Sequence, residues 1–188
     1  MDTQTNHIIN IRQAKAYEAL ERNLDVRSNG NITKEVEIKS LRKLGLTELR
    51  IKSVLCFYFI NPTMKLGSVS KCLNLLIEKL TEYGKTKEEV LAFINNGSNT
   101  SIYQNIYGNL KLRMDLFEQA NVLDTVLIYR GSLLGCSNYN RENCSRIKKY
   151  LESKNYNVSP EEIKSELFYD NMGIIRVKQK VKTLKNNI

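Results

Sequence analysis

Apolar residues recur at a spacing of three or four along most of the chain. One such stripe runs from Val69 to Tyr83, and a longer one begins at Tyr103 and ends at Leu127. This period is that of one face of an α-helix. The longer stripe contains Tyr103, Ile106, Leu110, Met114, Phe117, Ala120, Leu123 and Leu127. We therefore predict a mainly α, multi-helical fold.

Polar and glycine-containing breaks separate the helical segments. The clearest break is the run from Asn95 to Asn99, which consists of three Asn, one Gly and one Ser, residues that favour loops. We predict an N-terminal helical domain at 1–97 and a C-terminal unit at 133–188. Between them, at 98–132, we predict one long central helix whose stripe forms core or a dimer seam.

A tight turn within 33–60 lies between two helix-like segments of the N-terminal domain. Gly45 can adopt the backbone conformation that such a turn needs, and Thr47 can cap the helix that follows. Apolar residues on both sides of the turn would hold the two helices together. These are Leu44, Leu46, Ile51 and Val54.

The C-terminal unit repeats this arrangement and adds a basic segment. Its first helix would carry Cys144, Ile147 and Leu151 on one face. Ser159 followed by Pro160 is typical of the start of a second helix. No acidic residue occurs from 171 to 188, where the cations are Arg176, Lys178, Lys180, Lys182 and Lys185.

Both segments resemble helix-turn-helix DNA-binding proteins, and the C-terminal one also resembles winged-helix proteins. The resemblance implies a sequence-specific or structural DNA-binding protein, either a transcriptional regulator or a replication accessory. A homodimer and contact with DNA, or alternatively RNA, would be expected. The contact residues would be Arg176, Lys178, Gln179, Lys180, Lys182 and Lys185, followed by Thr47, Arg50 and Lys52.

Two geometries remain open for the basic segment. As a helix, it would turn an apolar side inward and offer arginine and glutamine to base edges and lysines to phosphates. As a strand, it would pair with residues 167–170 in a short β-hairpin wing. In either geometry the positive charge lies on one side.

The charge distribution supports a polyanionic partner. The net charge is +9 at pH 7, and residues 141–188 hold eleven Lys/Arg against six Asp/Glu. A clustered positive field attracts phosphate backbones without reading the base sequence. The alternative interpretation is a basic tail that only confers solubility.

Composition limits the remaining classes of function. The longest apolar run, from Val54 to Ile60, is too short to cross a membrane, and no signal peptide is recognisable. The four cysteines form no CxxC pair, and His7 is the only histidine, so we expect neither a metal site nor a cofactor. We expect a cytoplasmic protein with reduced thiols and no catalytic residues.

An enzymatic alternative depends on three residues. Asp25, Glu37 and Lys39 resemble the Asp…Glu-x-Lys signature of Mg²⁺-dependent nucleases. In that family two carboxylates hold the metal across a β-hairpin and the lysine orients the attacking water. On a strand, Glu37 and Lys39 would lie on the same side. On a helix capped by Thr33, they would belong to a solvated first turn.

A third alternative is a helical protein–protein interaction factor or inhibitor of the phage or plasmid type. The chain has ten tyrosines, and tyrosine is enriched in the cores of interfaces. An exposed patch formed by Tyr103, Ile106 and Tyr107 would favour this alternative. A fully buried stripe would argue against it.

Overall fold

The computed structural model describes residues 32–61, 63–135, 140–165 and 167–168. Within these ranges the chain is mainly helical, as predicted, and contains no β-strand. Short 3₁₀ turns lie at Gly97–Asn99 and Gly131–Leu133. The helices are α1 (Lys34–Lys43), α2 (Glu48–Ile60), α3 (Ser68–Glu82), α4 (Lys87–Asn95), α5 (Thr100–Tyr103), α6 (Tyr107–Gln119), α7 (Leu123–Tyr129), α8 (Asn140–Ser153) and α9 (Pro160–Lys164).

The chain divides into two compact units, Met1–Tyr107 and Gly108–Ile188. In the first unit α3 is central and packs against α1, α4 and α5, while α1 also packs against α2. Its apolar face is buried, as the periodicity predicts, through Val69, Cys72, Leu73, Leu76 and Leu80. In the second unit α7 packs against α9.

The predicted turn at Gly45 is present. Gly45 has a φ of 90°, and the amide of Leu46 donates to the carbonyl of Leu41 at 3.1 Å. This hydrogen bond closes α1 in the manner of a Schellman motif. A Cβ atom at position 45 would lie 2.3 Å from a methyl carbon of Leu91, so both the conformation and the space require glycine.

The helix after this turn, α2, buries one face. Ile51 and Val54 are buried, as predicted, together with Leu55 and Tyr58. Leu49, Phe59 and Ile60 of the same helix are exposed.

The long central helix predicted at 98–132 is instead three helices, α5, α6 and α7. Asn121 takes a φ of 55° and ends α6, because the amide of Val122 donates to the carbonyl of Phe117 at 3.0 Å. An earlier break follows α5, where the side chain of Asn105 accepts a hydrogen bond from the amide of Ile106 at 2.9 Å. The prediction was wrong because Gln104 leaves the helical conformation with a ψ of 65° after α5, and Asn121 takes a positive φ after α6.

The apolar positions of that segment were nevertheless identified correctly. Seven of the eight stripe residues are buried, and Ile106, at 52% exposure, is the exception. The stripe therefore forms core across two helix breaks. Buried side chains leave little of it available as the predicted dimer seam.

In the second unit, α8 buries the predicted face of Cys144, Ile147 and Leu151. Helix α9 begins as predicted, with the Ser159 hydroxyl accepting a hydrogen bond from the amide of Glu162 at 3.1 Å. The predicted β-hairpin and the basic segment fall on residues that are mostly outside the described ranges. No helix within those ranges combines the length and the hydrophobicity needed to span a membrane.

Candidate nucleic-acid interface

Helix α8 carries three exposed cations on the part of its surface that is not buried. Arg146, Lys148 and Lys149 are exposed. The buried face of the same helix lies on the other side, at Cys144, Ile147 and Leu151. The ammonium of Lys148 lies 3.7 Å from a carboxylate oxygen of Glu152, a long and exposed ion pair that contributes little to stability. We call the three cations the α8 basic face.

Tyr150 on α8 and Lys154 in the turn after it both contact the next helix, α9. The Tyr150 hydroxyl donates a hydrogen bond to a carboxylate oxygen of Glu162, and the ammonium of Lys154 lies 3.3 Å from the same oxygen. The tyrosine hydrogen bond, followed by the lysine, lowers the pKa of Glu162. On the other side of Tyr150, the ring of Phe168 packs edge-on with the centroids 5.0 Å apart.

Helix α9 is poorly suited to contact phosphates. Its first turn is acidic, with Glu161 and Glu162, and it has only five residues. The ammonium of Lys164 lies 4.8 Å from the centroid of the Tyr129 ring, and the carbonyl of Lys164 accepts a hydrogen bond from Arg130. These contacts hold α9 against α7, so the exposed positive charge of the helix pair is concentrated on α8.

The main contact residues predicted from sequence lie outside the described ranges. They are Arg176, Lys178, Gln179, Lys180, Lys182 and Lys185. Whether residues 174–185 form a helix or a strand therefore stays open. The α8 basic face precedes this segment in the same unit.

Two of the secondary predicted contacts in the first unit are tied to Asn95. The amide of Thr47 donates to the side-chain oxygen of Asn95 at 2.8 Å, and Nε of Arg50 donates to the Asn95 carbonyl at 2.9 Å. A Cβ atom at Gly97 would lie 3.1 Å from the Arg50 guanidinium. Arg50 thus joins the start of α2 to the end of α4, where a cation also complements the helix dipole.

The third secondary prediction, Lys52, is exposed on α2. It shares the start of that helix with Glu48, which forms an ion pair with Arg42 at 2.6 Å. The hydrogen bond from Arg42 lowers the pKa of Glu48 and so favours its carboxylate form. A negative charge at the start of α2 is unfavourable beside DNA phosphates, whereas a helix that reads a groove would place hydrogen-bond donors there. The other large exposed side chains of α2 are Leu49, Phe59 and Ile60, which are apolar and cannot hydrogen-bond to a base edge.

Glu37, the central residue of the nuclease alternative, is on a helix rather than on a strand. It is 1% exposed, and its carboxyl oxygens accept hydrogen bonds from the Tyr58 hydroxyl at 2.7 Å and the Ser70 hydroxyl at 2.9 Å. Lys39 is exposed on the same helix, and Asp25 lies outside the described ranges. The same-side geometry expected for Glu37 and Lys39 on a strand is therefore wrong.

Glu37 has a structural task at the start of α3. The residue before that helix is Gly67, which has no side chain to cap it. In its place, the Tyr58 hydroxyl accepts from the amide of Val69 at 2.9 Å, and Glu37 accepts from the amide of Ser70 at 3.3 Å. Burial and the nearby Glu37 raise the pKa of Tyr58 far above its ordinary value. Glu37 and Tyr58 thus supply the missing N-cap from two other helices.

The patch proposed for a protein partner is exposed in part. Ile106 and Tyr107 are 52% and 40% exposed, whereas Tyr103 is fully buried. The Tyr103 hydroxyl donates to the carbonyl of Ile94 at 3.1 Å, and burial raises the pKa of Tyr103 to about 12. Tyr103 is therefore a core residue.

The α8 basic face was missed because its cations belong to no short motif. The available signal was their position between the apolar residues of one predicted helix, which places them on its outer side.

Among the described residues, no three His, Cys, Asp or Glu side chains form a group that could hold a metal ion. Comparisons with protein-family models, with curated proteins and with solved structures found no match.

Proposed function

We propose that the protein binds DNA, with the α8 basic face and the basic segment after it contacting the phosphate backbone. The observation that supports this most directly is that Arg146, Lys148 and Lys149 are all exposed on a helix whose other side is buried. A rigid helix holds the three cations at fixed spacing. Phosphate contacts of this kind position a protein on a duplex without reading its sequence.

The charge balance of the second unit supports the same proposal. The eleven Lys/Arg between 141 and 188 begin with those of α8 and continue through the basic segment. Neutralising phosphates with such residues releases counterions, so binding weakens as salt rises. A regulator or a replication accessory would use this contact as its anchor.

The test is the binding of the full chain to a fluorescent random duplex at two salt concentrations, with and without Mg²⁺. We expect salt-sensitive binding of intact DNA in both conditions. Replacing Arg146, Lys148 and Lys149 together by alanine should weaken binding, since three phosphate contacts are removed. Absence of binding at low salt would contradict the proposal, and Mg²⁺-dependent cleavage would support the nuclease instead.

A matched control uses the first unit. Lys39, Lys65 and Lys71 are also exposed, and replacing all three by alanine removes the same charge. This variant should bind DNA nearly as well as the wild type. Equal weakening in both triple variants would mean that net charge alone, rather than the α8 basic face, governs binding.

The exposed side chains of Ile106 and Tyr107 favour a protein partner as the second candidate function. Large apolar side chains at a surface are typical of interface cores. If the chain fails to bind DNA, these two residues are the first positions to replace in a search for a protein contact.

A further inference from the structure

A groove of about 550 Å³ lies in the first unit where the ends of three helices meet. The last residue of α1, the last turns of α3 and the first turn of α4 form its walls. Its volume is within the range of small-molecule sites. The groove is lined by Lys43, Leu44, Gly45, Ile77, Thr81, Lys85, Lys87, Val90 and Leu91.

The floor of the groove is apolar. Val90 is buried, and Leu44, Ile77 and Leu91 are half-buried, so their side chains are partly open to a ligand. The one hydroxyl in the wall, that of Thr81, donates to the carbonyl of Ile77 at 2.8 Å. Contact with an apolar body would release water from this floor.

The rim of the groove is cationic. Lys85 is engaged, because its ammonium lies 3.1 Å from Glu89, and Glu89 itself accepts a hydrogen bond from the amide of Thr86 at 2.8 Å. Lys43 and Lys87 are exposed, and neither has an ion-pair partner among the residues that the structure describes. Two lysines at the edge of an apolar floor match a ligand that is negative at one end and apolar at the other.

We propose that this groove binds a small amphipathic carboxylate, such as the anion of a medium-chain fatty acid. The carboxylate pairs with Lys43 and Lys87, and the alkyl chain covers Leu44, Ile77 and Leu91. A compact recess between helix ends suits one chain of this kind better than a partner helix, which needs an elongated groove for several successive turns.

The test is titration of the full chain with decanoate, below the concentration at which it forms micelles, followed by calorimetry. Decanol supplies the same alkyl chain without charge, and acetate supplies the charge without the chain. We expect decanoate to bind more tightly than either. Failure of decanoate to bind, or equal binding of decanol, would overturn the proposal.

Variants locate the site. Replacing Lys43 and Lys87 together by glutamine should weaken decanoate binding about tenfold, as expected for the loss of two partly exposed ion pairs. Replacing the exposed Lys65 and Lys71 by glutamine is the matched control and should leave the affinity unchanged. Equal affinity in the Lys43→Gln, Lys87→Gln variant would contradict the assignment.

A filling variant tests the floor independently of charge. Thr81→Trp places a bulky side chain in the wall of the groove and should abolish decanoate binding while the thermal unfolding curve stays cooperative. Wild-type affinity in this variant would overturn the location.

If replacing Lys43 and Lys87 affects the binding of a DNA duplex but not of decanoate, these lysines are phosphate contacts and the proposal is wrong.

Discussion

The two units of the molecule each contain a glutamate that accepts a hydrogen bond from a tyrosine of another helix, in different environments. In the first unit, Glu37 and Tyr58 are each 1% exposed and cap α3. In the second unit, Glu162 and Tyr150 are partly exposed and join α8 to α9. The same pair of residue types is thus a core element in one unit and a surface clasp in the other.

The difference extends to the cations of the two units. In the first unit, Arg50 is hydrogen-bonded to the carbonyl of Asn95, the last residue of α4. In the second, the clasp leaves the outer face of α8 to Arg146, Lys148 and Lys149. Arg50 of the first unit thus contributes to hydrogen bonding within the fold, whereas the cations of α8 are exposed and are the contacts that we propose for DNA.

The largest expected effect is at Glu37. Glu37→Gln turns one of the two acceptor oxygens into an NH2 donor, which would face either the Tyr58 hydroxyl or the Ser70 hydroxyl. We expect the free energy of unfolding to fall by about 2–3 kcal/mol, because buried donors lose their acceptor. The measurement is urea unfolding followed by circular dichroism.

The matched control for this prediction is Glu78→Gln. Glu78 is exposed on α3, and its replacement should change the free energy of unfolding by no more than about 0.5 kcal/mol. A similar small change for Glu37→Gln would contradict the capping role of Glu37.

A smaller effect is expected at the surface clasp. Tyr150→Phe removes the hydroxyl that donates to Glu162 and should lower the free energy of unfolding by about 1 kcal/mol at pH 7. Tyr156→Phe, which alters a tyrosine in the following turn, should have little effect. An equal loss in both variants would show that the hydrogen bond to Glu162 is unimportant.

The clasp also predicts a pH dependence. The pKa of Glu162 is lowered in the folded chain, so the unfolded chain binds more protons in the acidic range. Its contribution is therefore complete above the ordinary glutamate pKa and is lost as the pH falls through the lowered value. The difference in stability between wild type and Tyr150→Phe should shrink as the pH is lowered, and a constant difference would contradict this.

A loss of stability of similar size is expected at Arg50. Arg50→Gln removes the hydrogen bond to the Asn95 carbonyl, and the free energy of unfolding should fall by about 1 kcal/mol. DNA affinity should change less than in a variant of the α8 basic face. A loss of DNA affinity without a loss of stability would return Arg50 to the role of a nucleic-acid contact.

Much of the fold could be predicted from sequence where the determining signals are local. The start of α9 at Ser159 and Pro160 was predicted from these two residues and is confirmed. The turn at Gly45 and the buried face of α8 were also predicted. These features depend on residues within one or two helical turns of each other, so pattern and propensity suffice.

The failures occurred where distant residues or side-chain hydrogen bonds decide. Nothing near Gly67 indicates that α3 is capped by Glu37, thirty residues earlier, so the glutamate resembled a metal ligand instead. Asn121 can occupy either a helix or its end, and the continuous apolar stripe concealed the break. The buried face of α8 was predicted, but no short motif marked the exposed cations of that helix as contact residues.

The most direct test of the central claim is the salt dependence of DNA binding in the two triple variants. In the variant that lacks Arg146, Lys148 and Lys149, we expect the slope of the logarithm of the DNA-binding constant against the logarithm of the salt concentration to become shallower by up to about three. The variant that lacks Lys39, Lys65 and Lys71 should keep the wild-type slope. An unchanged slope in the first variant would contradict the assignment of phosphate contacts to α8.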